Sequence, residues 1–214
     1  MKNVLVVGAH YDDAELGVGG TCAKLVSQGC NVYKLTLTDN VTDFKQKNIK
    51  VDNESSKKSS KLACEILGVK EITDFETLPC NELKYSASLM QKLESIIFDL
   101  NIDTLFFHFD HDLNTDHLEA SKLCLIAGRH CKNLFMYQSN GYIPENQFHP
   151  TIFFNIDRFI EKKKEALKQY GSEHNRFNRM FDMNIKRNEV WGYGCENLFS
   201  EGFVPVKMVI ENED

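Results

Sequence analysis

Val4-Leu5-Val6-Val7-Gly8-Ala9-His10-Tyr11-Asp12-Asp13-Ala14-Glu15-Leu16-Gly17 joins an apolar run to a histidine and two adjacent carboxylates. The first four residues read as a buried strand. The polar cluster therefore falls at a strand end near the interior, where neighbouring carboxylates repel one another and lose water. A cation is the usual remedy, and His with Asp is a donor set that suits zinc. A second cluster, Asp112-Leu113-Asn114-Thr115-Asp116-His117, lies about a hundred residues downstream and is placed to close such a site.

Outward from that stretch, strand-like and helix-like segments alternate. Residues 13–28 have helical spacing through Leu16, Ala23, Leu25 and Val26, and Gly29 ends them as a C-terminal glycine does. Residues 32–37 read as a second strand, and the polar residues 41–53 as a loop without periodicity. Residues 55–67 form a helix closed by Gly68, followed by a short strand around 71–75. A helix over 86–100 carries Leu89, Leu93, Ile96 and Ile97 on one face. A strand over 104–107, a helix over 117–128 and a strand over 134–137 continue the alternation. Repeated β-α-β units predict an α/β fold with a mostly parallel sheet and helices on both faces. Such sheets bind ligands beyond the carboxyl ends of their strands, which is where both polar clusters fall.

From Gly141 the pattern loosens. Residues 152–156 read as a strand, 156–170 as an amphipathic helix and 204–210 as a last strand. No repeat, linker or second core interrupts the chain, so residues 1–214 read as one domain. Hydrophobic residues at 42% and charged residues at 26% are a globular balance, not a disordered one. A net charge of −6 argues against a nucleic-acid surface. The run Lys162-Lys163-Lys164, flanked by Glu161 and Glu165, reads as a solvated helix face. Met1-Lys2-Asn3 leads into too short an apolar run for a secretion signal, and nothing is long enough to span a bilayer. Seven cysteines without a C-x-x-C pair point to a reducing, cytoplasmic setting and away from a cysteine zinc site. Cys22, Cys64 and Cys124 fall in helical patterns as small buried hydrophobes.

A hydrolytic zinc site needs three protein ligands and one open position. His10 and Asp13 can face one ion from the turn, with His117 as third ligand. Zn2+ is the expected ion, and another divalent ion such as Fe2+ suits the same donors. Asp12 is then the spare carboxylate, positioned as general base toward water. Asp116 can orient a ring nitrogen or a neighbouring carboxylate, and Asn114 can donate to an oxyanion. His111 and Asp112 read as rim or loop-shaping residues. His108, at a strand end, reads equally as a pocket residue or as a structural histidine. Two other readings stand beside this one. Asp12-Asp13 can be a helix N-cap with a favourable dipole interaction. Gly17-x-Gly19-Gly20 can suggest a dinucleotide loop, but the acidic turn would repel phosphate and the glycines come a turn too late.

Ala9-His10-Tyr11-Asp12-Asp13-Ala14-Glu15-Leu16-Gly17-x-Gly19-Gly20-Thr21 resembles the A-H-P-D-D-x-E-L-G-x-G-G-T signature of LmbE/PIG-L-type N-deacetylases. Asn114-Thr115-Asp116-His117 is similar to the family's second motif, which ends H-x-D-H. Weaker likenesses are Ala63-Cys64-Glu65-Ile66-Leu67-Gly68, Lys163-x-x-Ala166-Leu167-x-x-Tyr170-x-Ser172 and Ser200-Glu201-Gly202-Phe203. The resemblance implies a Rossmann-like fold, zinc on His10, Asp13 and His117, and Asp12 as general base. It also implies removal of acetyl from N-acetylglucosamine-type sugars. Tyr11 stands where the family has proline, freeing a backbone N–H and a fixed φ, and its phenol is expected at the pocket entrance as a substrate contact. Asn114 stands where many members carry histidine; it can donate to an oxyanion but is no acid near neutral pH.

The expected protein is a metal-dependent amidohydrolase that cleaves a linear amide of an N-acetylated amino sugar or its conjugate. Its partner is that small molecule, with no nucleic acid and no transmembrane segment, and assembly as a homo-oligomer is left open. The competing readings are a non-catalytic sugar- or nucleotide-binding module on the same fold and a phosphoester hydrolase. Substrate recognition is expected in the loops 41–53, 79–86 and 139–150.

Overall fold

The apolar run at the start of the chain is the middle of a seven-stranded sheet. The structure, a computed structural model, describes residues 1–47, 49–171 and 175–210. Strands β1 (Asn3–Gly8), β2 (Asn31–Thr36), β3 (Thr42–Phe44), β4 (Ile49–Val51), β5 (Lys70–Glu71), β6 (Thr104–His108), β7 (Asn133–Tyr137), β8 (Ile152–Asn155) and β9 (Ser200–Lys207) follow in chain order. Helices α1 (Asp13–Ser27), α2 (Asn53–Leu67), α3 (Ala87–Asp99), α4 (Thr115–Ala127), α5 (Ile160–Lys168) and α6 (Asn175–Gly194) connect them. The main sheet has the order β5-β2-β1-β6-β7-β9-β8, while β3 and β4 form a separate hairpin. The five strands from β5 to β7 are parallel, and β9 runs antiparallel to both β7 and β8.

Both faces of the sheet are buried, which explains why β1 is apolar throughout rather than alternating. Leu5 and Val7 face one core with Leu105, Phe107, Leu134 and Met136, beneath α3 and α4. Val4 and Val6 face the other with Phe106, Phe135 and Tyr137, beneath α1. Beyond α1, that second layer is completed by α2 and α5 packing against it. Gly17 is obligatory there, because a Cβ would sit 2.1 Å from the Tyr137 ring, and one at Gly20 would sit 2.7 Å from Ile156. The glycines of the opening stretch thus permit close helix–sheet packing.

Local signals hold at the helix ends. Gly68 adopts φ 77° as the C-cap of α2, and Ser86 caps α3 by accepting the Leu89 N–H. Cys22, Cys64 and Cys124 are all buried. Elsewhere the structure departs from expectation. Residues 41–53 contain the β3–β4 hairpin, closed by pairs such as Thr42 with Val51. β5 is only two residues long, α5 begins at Ile160, and β9 starts at Ser200. The 20-residue α6 went unforeseen. Its buried positions include Asn184 and Asn188, so polar residues occupy the face that apolar periodicity would have marked. Lys163 is fully buried, not part of a solvated face, while its neighbours Lys162 and Lys164 remain outside the core. Ser172, part of the family likeness, lies outside the described residues.

Candidate active site

Parallel pairing puts the carboxyl ends of β1, β2, β6 and β7 along one edge, and the segments leaving them build the site. His10 leaves β1, and Asp12 and Asp13 open α1. His117 lies in the first turn of α4, which Asn114 caps by accepting the N–H groups of Asp116 and His117. Three donors converge from these elements. His10 Nδ1 lies 3.2 Å from His117 Nε2 and 3.3 Å from Asp13 Oδ2, and His117 Nε2 lies 3.4 Å from Asp13 Oδ1. Donors at zinc–ligand distances of about 2.0–2.1 Å around a tetrahedral ion stand about 3.3 Å apart, so the set fits zinc. His10–Cys80–Asp116 and His108–Asp112–His117 also cluster among the described residues. Only His10, Asp13 and His117 all line the cavity of about 260 Å³ that opens at this edge.

Each donor is held from behind. Asp116 Oδ2 stands 3.3 Å from His10 Nε2 and accepts the backbone N–H of Asn81 at 2.7 Å. Asp112 Oδ2 stands 3.0 Å from His117 Nδ1 and is fixed in turn by the Asn140 amide. Ser139 donates to Asp13 Oδ1 at 2.8 Å, and the His10 N–H donates to Asp13 Oδ2 at 2.7 Å. Carboxylates behind metal-ligating imidazoles fix the ring and its tautomer. Asp116 thus orients His10 from the adjacent helix turn. Asp112 reads in the sequence as a rim or loop-shaping residue, but it is buried and orients His117.

The electrostatics separate the two adjacent carboxylates. Burial, then the neighbouring Asp13 charge, push the Asp12 carboxyl up to about 7. Burial works the same way on Asp13, but His117 and His108 outweigh it and hold Asp13 well below the carboxylate range. Burial opposes protonation of His117, yet Asp13 and Asp112 raise it to about 9. The cluster therefore draws positive charge to its centre. Asp12 occupies the N-cap position of α1, but its side chain makes no capping hydrogen bond and lines the cavity. That disposes of the simple cap reading.

Tyr11 and His108 do not line this cavity. The Tyr11 hydroxyl turns toward α2, donating to Asn53 Oδ1 at 3.3 Å, and its ring borders a neighbouring cavity. His108 is sealed behind Asp13, stacked on His117 at 3.9 Å, and its Nε2 accepts the Ala9 N–H. Burial and the His117 charge lower its pKa to about 4. Asn114 does line the cavity; its Oδ1 is committed to capping, so its amide NH2 is the group left to donate. The three loops expected to carry recognition all reach the wall, through Thr42 and Val51, Cys80 and Asn81, and Ser139, Asn140 and Tyr142. Leu16, Asn40 and Met180 complete it, and the last two do not stand out in the sequence.

A parallel α/β sheet whose carboxyl edge brings two histidines and an aspartate around one point, with a spare carboxylate beside them, has the architecture of a metal-dependent hydrolase. The chain belongs to the PIG-L family: the family model described as GlcNAc-PI de-N-acetylase matches residues 5–127, a span that holds both polar clusters. Membership makes it a metal-dependent deacetylase, an amidohydrolase. Uncharacterized deacetylase YaiS of Escherichia coli (strain K12) is 25% identical over 185 residues, covering 80% of this chain and 91% of that protein. The N,N'-diacetylchitobiose deacetylase of Pyrococcus horikoshii superposes with a TM-score of 0.79 at 19% identity, over 96% of this chain and 84% of that one. GalB, the 4-carboxy-2-hydroxymuconate hydratase of Pseudomonas putida KT2440, has the same TM-score and identity over 100% of both chains. One fold thus carries proteins with different reactions in their names, and the deacetylase assignment rests on the family match. Among the described residues, no helix is long and apolar enough to cross a membrane.

Proposed function

We propose that this deacetylase removes the acetyl group from an N-acetylated amino sugar or its conjugate, with Zn2+ held by His10, Asp13 and His117. The observation that carries the reading is Asp12: a buried carboxylate, free of capping duty, raised to about 7 beside a three-donor set on the same cavity wall. A bound divalent ion supplies Lewis acidity toward the amide carbonyl and lowers the pKa of water. Asp12 accepts a proton from the attacking water, and a pKa near neutrality suits a group that must take and return it. The Asn114 amide NH2 donates to the carbonyl oxygen as negative charge develops there. Asp12 then returns the proton to the nitrogen as the C–N bond breaks, giving acetate and a free amine. Asp116 and Asp112 keep the His10 and His117 rings in register throughout.

The cavity walls support a sugar. Asn40, Thr42, Asn81 and Asn114 present amide and hydroxyl groups that can exchange hydrogen bonds with ring hydroxyls. Seven free thiols support the cytoplasmic setting.

A panel of N-acetylglucosamine conjugates assayed with added Zn2+ should release acetate and new amine in equal amounts. Asp12→Asn should lower turnover by about 100- to 10,000-fold while one metal per chain is retained. Tight sugar binding without acetate release from any member of the panel would establish a binding module instead.

A further inference from the structure

A buried lysine beneath the catalytic turn belongs to none of the groups that act on substrate. Lys34, in the middle of β2, is 1% exposed and projects from the face of the sheet that α1 covers. Its ammonium donates to the Tyr11 backbone carbonyl at 2.5 Å and to both oxygens of Glu15, at 2.7 and 2.9 Å. Ser60 Oγ, at 2.9 Å, and the Tyr170 hydroxyl, at 3.2 Å, complete its near shell. The Tyr170 hydroxyl donates to the same Tyr11 carbonyl at 2.7 Å. Two donors from distant elements, β2 and the segment after α5, therefore grip one peptide oxygen midway between His10 and Asp13.

We propose that Lys34 is a positioning residue for the metal-binding turn, fixing the Tyr11 peptide so that His10 and Asp13 face a common ion. Three observations support it. Tyr11 occupies the place that the family motif gives to proline, so φ of this turn is not locked by a ring. The Tyr11 carbonyl is buried, and a buried carbonyl held by a charged donor is fixed more firmly than by a neutral one. Glu15, in the first turn of α1, neutralises the ammonium and ties it to the helix that Asp12 and Asp13 open. The pair thus joins the floor of the turn to the start of α1.

The inference rests on the metal site proposed above and is tested apart from it. Lys34→Met alone strands Glu15 as an unpaired buried charge, so the informative variant is Lys34→Met with Glu15→Leu, which removes both charges at similar volume. Zn2+ affinity is measured by competition with a chromophoric chelator, together with the thermal midpoint of the metal-free protein and the split between kcat and KM. The double variant should keep a near-native midpoint and KM but bind Zn2+ about ten- to a hundredfold more weakly, the range for losing an outer partner of a ligand. Tyr170→Phe, which removes the second donor and leaves the ion pair intact, should shift affinity in the same direction by less. If both variants bind Zn2+ as tightly as the native chain, Lys34 is a core residue only and the inference is overturned while the metal site stands. If the native chain itself binds no Zn2+, both fall.

Discussion

Two of the buried polar centres along helix α1 solve the burial of charge in opposite ways. At its N-terminus, Asp12 and Asp13 sit against His10, His108 and His117, with a cavity on one side. At its middle, Lys163 and Glu201 form a 2.6 Å ion pair with no exposed atoms on either side chain to speak of. Lys163 also donates to the Leu16 carbonyl and to Asn188 Oδ1, and Glu201 accepts the N–H groups of Gly20 and Thr21. The three Lys163 donors and both Glu201 oxygens have protein partners, so neither charge is left to bind a ligand. At the N-terminus the carboxylates are only partly compensated, and the shortfall is what a cation can fill. Charge in a core marks function where its pairing is incomplete and structure where it is closed.

That contrast can be broken by substitution. Asp13→Asn should cost more than the hundredfold upper range for outer partners in Zn2+ affinity, with the chain still folded; chelator competition and circular dichroism read the two parts. Lys163→Met should do the reverse, lowering stability by about 3–5 kcal/mol because Glu201 is left buried and unpaired. Urea denaturation measures it, and the folded fraction should bind Zn2+ normally. If Asp13→Asn unfolds the chain and Lys163→Met weakens metal binding instead, the division between the two centres is wrong.

A smaller effect sharpens the same comparison through pH. The Asp12 carboxyl titrates near 7 when folded, against about 3.9 in an unfolded chain. Between those values the folded chain keeps a proton that the unfolded chain has lost, so stability falls as pH rises toward 7 and then levels. Asp12→Asn mimics the neutral form and removes that loss. In metal-free protein the substitution should therefore raise the thermal midpoint at pH 8 and leave it nearly unchanged at pH 4. An equal shift at both pH values would mean that Asp12 is not held against its charge.

The parallel part of the fold was legible because its strands are short, apolar and separated by helices with clear stops. Alternate residues of β1, such as Leu5 and Val6, enter opposite cores, so the run had to be apolar on both faces. The C-terminal part was not. α6 buries Asn184 and Asn188, which read as surface residues until Lys163 is placed beside Asn188. Lys163 itself was hidden inside a run of three lysines, and only the inward turn of α5 distinguishes it.

The site divides along the same line. His10, Asp13, His117 and Asp12 were legible because unusual residue types stand together at a predicted strand end. Asp112, Ser139, Asn140 and Lys34 were not, since each acquires its meaning from a partner far away in the chain. Asp112 becomes the support of His117 only when Asn140 fixes it, and Lys34 in an alternating strand resembles any outward-facing polar residue. Tyr11 reads as a substrate contact and His108 equally as a pocket or a structural residue, but the turn sends Tyr11 toward α2 and the sheet seals His108 behind Asp13.

The amino-acid sequence alone determined the α/β order, the strand end at which chemistry gathers and the residue types that can hold a metal, because these follow from local periodicity and composition. Tertiary structure decided which carboxylate serves which ring, which one is left free to take a proton and which charges are sealed in pairs. Those are differences in burial and distance between groups up to 181 residues apart, and a buried charge is defined by the partner that the fold brings to it.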